Sequence, residues 1–189
     1  GVAAAAVAAL LGGGAFGAHL WVVKPRSLRG ARRLTLFALT LLVPAVVAKF
    51  SFPLIFPDHE GLYIAHALPI VAGPIVAAVL LDIGSGVMTT IVLAGVVGYF
   101  AVAVPSTGGG AVSGDLDAPR IVLATLAASI AGLFVASRVE RLQGYLGAGI
   151  AAAVAGGLAA TVTILLDAQR AFDEVIWLAA ASATGGILV

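Results

Sequence analysis

The chain has 189 residues, no cysteine and a net charge of +1; 61% of it is hydrophobic and only 10% is charged. A water-soluble domain carries roughly a quarter charged residues and about half apolar ones, so this composition cannot cover a soluble surface and specifies an integral membrane protein. The missing cysteine excludes disulfides, Cys-ligated zinc, iron–sulfur clusters and thiol nucleophiles, and the few basic residues speak against nucleic-acid binding.

Seven apolar runs follow one another along the chain: Val2–Val23, Leu34–Phe56, Leu62–Leu81, Ser85–Val104, Ile121–Ser137, Tyr145–Leu166 and Val175–Val189. About 20 helical residues cross ~30 Å of hydrocarbon, and most of the runs reach that length. Strict alternation, the mark of a membrane strand, is absent. The expected fold is therefore all-α, a single bundle of about seven transmembrane helices over residues 1–189. Twenty-four glycines and many alanines suit close helix contact in lipid. Gly13-x-x-x-Gly17 and Ala152-x-x-x-Gly156-x-x-x-Ala160 are candidate packing faces. Pro44, Pro69 and Pro74 lie inside runs, where each removes a backbone donor; the pair in the third run predicts an irregular helix there.

Orientation is read from Lys and Arg in short loops. Lys24, Arg26, Arg29, Arg32 and Arg33 follow the first run, and Arg138 and Arg141 follow the fifth. Seven of ten basic residues thus share one side, and seven of nine acidic residues fall on the other, beside Arg120 and Arg170. The expectation is an N-terminus outside, a C-terminus in the cytoplasm and a place in the inner cell membrane. The first residue is Gly1 and the last run stops with the chain, which leads us to expect a segment of a longer protein. The loop 105–119 is rich in Gly and Ser and is placed outside.

Ionisable groups within a bilayer are the natural functional candidates. Lys49 lies near the outer end of the second run, where its stem lets it snorkel. His66 lies one turn into the third run, beside Tyr63, as a ligand contact or a satisfied interfacial group. His19 with Trp21 reads as part of an aromatic belt. Asp82, in the sequence LLDIGSG, is placed to cap the following helix or to couple to a cytoplasmic partner. No H-E-x-x-H, G-x-S-x-G or phosphate-loop motif is present. The segment is thus expected to hold no catalytic site, no metal and no cofactor.

Several stretches together resemble one family. LWVVKPRSLRGARRLTLFALTLLVPAVVAKF resembles the first two membrane helices and basic connector of the seven-transmembrane HD-hydrolase receptors. ALPIVAGPIVAAVLLDIGSGVMTTIVLAGVVGYF is similar to their next hairpin, ASRVERLQGYLGAGIAAAVAGGLAATVTILL to their basic loop and sixth helix, and AAASATGGILV to the start of their last helix. The resemblance implies a signal-relay domain. An extracellular domain would precede it, and a cytoplasmic HD phosphohydrolase acting on cyclic di-AMP through two metal ions would follow. Its partners would be the lipid bilayer, an extracellular ligand and a second copy in a homo-oligomer. None of the HD domain's catalytic residues lies within these 189 residues. The alternatives are a substrate-binding membrane subunit of an ECF-type vitamin transporter and a structural accessory subunit of a membrane complex.

Overall fold

The structure, a computed structural model, describes residues 31–55, 64–103, 117–139, 143–165 and 173–188. The described residues form helices and their connections, with no strand among them. The elements are α1 (Ala31–Ile55), two short 3₁₀ turns (Ile64–Ala67 and Pro69–Val71), α2 (Ala72–Leu80), α3 (Ile83–Ala103), α4 (Asp117–Ala136), α5 (Gln143–Leu165) and α6 (Asp173–Ile187). The first apolar run, with Gly13, Gly17, His19 and Trp21, lies outside the described residues, as do Lys24, Arg26, Arg29, Tyr63 and Arg141.

Among the described residues, four helices have a stretch long and apolar enough to cross a membrane: Arg32–Ile55, Ile83–Val102, Pro119–Ala136 and Tyr145–Thr163. Their surfaces are inverted relative to a soluble protein. The buried side chains are mostly small, such as Ala48, Ala94, Ala124, Ala148, Ala152 and Ala160, while Leu42, Leu54, Ile91, Phe134, Ile150 and Leu158 point outward. Contiguous exposed apolar surface on this scale belongs against lipid, and small residues let helix backbones approach. The chain is a multi-pass membrane protein.

Helix α4 is the hub. Half of its span is buried (50%), against 22% of the span in α1. It contributes to each of three apolar clusters. Ile121 joins Ala48, Phe52, Ala65, Ile70 and Val97. Ala124 joins Ala160, Leu178 and Ala181. Ala128 and Ala136 join Ile75, Ala148 and Ala152. The 152–156–160 stripe on α5 is buried throughout. A Cβ on Gly156 would lie 3.0 Å from the Ala128 Cβ, so α4 and α5 pack at close range.

The third run is irregular, as its prolines dictate. Proline disfavours the α conformation in the residue before it, and Leu68 is extended, with φ −68° and ψ 134°. The run therefore enters as two 3₁₀ turns and becomes α-helical only from Ala72. Helix α1 instead continues through Pro44 and Pro53. Pro44 offers no N–H to the Thr40 carbonyl, and Gly73 of α2 packs there: a Cβ on it would lie 2.5 Å from that oxygen.

Candidate functional site

Beside the broken segment, polar side chains from three separate stretches of the chain, His66, Thr125 and Ser182, come together. A cavity of about 40 Å³ lies under this segment, lined by His66 and Leu68 of the break, Thr125 and Ala128 of α4, Gly156 of α5, and Ser182 and Gly185 of α6, among others. That volume is room for up to roughly three waters at ~10–15 Å³ each. Ser182 is 6% exposed, and its Oγ has no hydrogen-bond partner among the described residues. Thr125 is also buried. Thr163 of α5 and Thr184 of α6 instead spend their hydroxyls locally, on the Ala160 and Ala180 carbonyls at 2.7 and 2.8 Å. A buried hydroxyl without a partner costs about 1–3 kcal/mol, so Ser182 marks the cavity as a place for a polar guest.

Helix α6 meets the break through Gly185. A Cβ there would lie 2.5 Å from the His66 carbonyl oxygen and 3.3 Å from the Ala67 Cα. Glycine is required by this backbone-to-backbone contact. The 3₁₀ turns and α6 therefore touch backbone to backbone at this point, with no side chain between them.

Arg120 stands one turn above the cavity, next to its wall residues Ile121 and Ala124. Sequence alone placed it in an outer loop. In the structure α4 begins at Asp117, which puts Arg120 within the helix, at only 2% exposed. Its Nε donates to Thr163 Oγ1 of α5 at 3.1 Å, and the same hydroxyl donates to the Ala160 carbonyl at 2.7 Å. Arg120, Thr125, Ser129 and Ser182 were not among the sequence candidates. The available signal was the row Arg120–Ala124–Ala128, which puts the arginine in line with a small-residue stripe.

The residues singled out from sequence do not converge. His66 lines the cavity, half-buried. Lys49 is exposed on α1, with Nζ 5.8 Å from the Phe50 ring centroid. Asp82 lies beyond the far end of α2, where it caps α3: Oδ1 accepts from the Ser85 amide and Oδ2 from the Ser85 hydroxyl, both at 3.0 Å. Arg32 and Arg33 are exposed at the start of α1. Arg138 is exposed just past α4, with its guanidinium 4.2 Å from the Phe134 ring centroid. Among the described residues no three His, Cys, Asp or Glu side chains are grouped to hold a metal ion.

A family model described as a 7TM receptor with intracellular HD hydrolase matches residues 2–189. No curated protein and no solved structure matches the chain.

Proposed function

Since the chain belongs to the family of 7TM receptors with an intracellular HD hydrolase, whose membrane domain is not itself catalytic, we propose that it relays a signal from an extracellular domain or ligand to a cytoplasmic HD hydrolase that cleaves cyclic di-AMP. The observation that carries this is the contact of Gly185 with the His66 carbonyl. It brings α6 into backbone contact with the broken segment, the kind of contact a relay between the two would use. In this reading the bundle crosses the inner membrane seven times, with the N-terminus outside and the HD domain following α6, and it works as a homo-oligomer or alone. A ligand shifts such an equilibrium only by differential affinity for its two states. The cavity under the break, with His66, Thr125 and Ser182 in its otherwise apolar wall, is where two packings of α4, α5 and α6 against the 3₁₀ turns would differ. The family match favours this relay over a vitamin-capture subunit or a structural accessory subunit.

The test uses the full-length protein with its HD domain, in proteoliposomes. Gly185→Ala is expected to change cyclic di-AMP turnover severalfold, while the HD domain expressed alone keeps its own rate. Unchanged turnover and unchanged response in Gly185→Ala would remove the relay role of this contact.

A further inference from the structure

A second cavity opens sideways to the lipid. It is an apolar groove of about 380 Å³ along the seam of α1 and α2, between Leu36 and Val43 on one wall and Gly73, Val76 and Leu80 on the other, and Leu188 after α6 reaches it too. The seam is pinned where Gly73 meets the Thr40 carbonyl and Pro44. On α1 the lining residues run from Leu36 to Val47. Eleven helical steps are about 16 Å, roughly half of the ~30 Å hydrocarbon thickness. The groove is thus as long as one leaflet.

Its end is charged. Arg32 and Arg33 stand four and three residues before Leu36, hence on the same side of the helix one turn further out, and both are exposed. Side chains tilt towards a helix N-terminus, so both guanidinium groups are carried out of the hydrocarbon to headgroup level. The only acid that directly follows the α2 wall in the sequence is Asp82, and both of its oxygens accept from Ser85. Apolar walls one leaflet long, ending in two outward arginines, match one occupant: an acyl chain whose headgroup carries a phosphate. We propose that this groove is a binding site for an anionic phospholipid, with a tail along Val43 and Val76 and its phosphate on Arg32 and Arg33.

The experiment is native mass spectrometry of the full-length chain offered equal amounts of phosphatidylglycerol and phosphatidylcholine. The wild type is expected to retain phosphatidylglycerol preferentially. At about 1 kcal/mol for each basic residue near an anionic surface, removing both arginines lowers that preference about thirtyfold, and removing one lowers it about fivefold. Arg32→Gln with Arg33→Gln should show this loss, whereas Arg138→Gln, an equally exposed arginine away from the groove, should retain the preference. Val76→Trp fills the groove and should displace both lipids. Leu39→Trp, at an outward position on the same wall, serves the same purpose if Val76→Trp does not fold. Equal retention of the two lipids by the wild type, a preference that survives the double Arg variant, or an equal loss in Arg138→Gln would overturn the site. Retention of both lipids by the folded tryptophan variant would do so as well.

Discussion

Thr163 illustrates how a single hydroxyl can matter in a bundle of this composition. It accepts from Arg120 and donates to the Ala160 carbonyl, joining α4 to α5 at a buried guanidinium. A hydrogen bond between membrane helices is worth little on average, about 0.6 kcal/mol. Removing the acceptor from a buried charged donor costs more, about 1–3 kcal/mol. Thr163→Val, which keeps the shape, is therefore expected to destabilise the protein by about 1–3 kcal/mol, while Thr163→Ser changes little; unfolding in detergent measures both. At Asp82 the cap joins two oxygens to Ser85. Asp82→Ala should cost about 0.5–2 kcal/mol, and Asp82→Asn, which keeps an acceptor, should cost less. If Asp82 also couples to the hydrolase, Asp82→Asn alters regulation of the full-length enzyme without abolishing hydrolysis. Of these residues, Asp82 was legible in sequence, because an acid directly before a helix start has a local partner three residues on. Arg120 was not legible, because its partner lies 43 residues away and only the packing of α4 on α5 brings them together.

Among the elements, the break at 64–71 and helix α6 carry the functional argument. The irregularity itself follows from Pro69 and Pro74, a local cause that sequence exposes. What packs on it does not. Gly185→Ala places a Cβ 2.5 Å from the His66 oxygen, and overpacking of this kind costs about 1–3 kcal/mol. Gly95 on α3 is the matching control, since a Cβ there meets nothing within 4 Å. Gly95→Ala should lose no stability, and thermal unfolding of the two variants should separate a contact glycine from an open one. The small-residue stripe of α5 makes the same point from the other side. As a pattern it was one of many in an Ala- and Gly-rich chain; its burial against Ala124 and Ala128 distinguishes it.

For the whole molecule, charge sorting gives a definite topology to test. The chain has no cysteine, so single replacements report cleanly. Ser27→Cys is expected to resist membrane-impermeant thiol labelling of intact cells, and Ser113→Cys to be labelled. Labelling at Ser27 from outside would reverse the orientation and, with it, the side on which the hydrolase must lie. The same assay on Ser137→Cys, beside Arg138, should agree with Ser27.

The sequence by itself determined the solvent and the class of element. A composition with so few polar groups has only the bilayer to live in, and in the bilayer a chain without alternating strands must be helical. The prolines marked where a helix could break, and the third run does break at Pro69, whereas α1 continues through Pro44 and Pro53. Only the tertiary structure decided which faces turn inward, because the few polar residues of α3 and α4 make too weak an amphipathic pattern to orient these helices. It placed Arg120 inside the bundle and left Lys49 outside it. It also gathered His66, Thr125 and Ser182 from three distant stretches around one cavity. Those outcomes depend on how closely the glycines and alanines of neighbouring helices can approach, a property of pairs of helices that no single stretch of sequence contains.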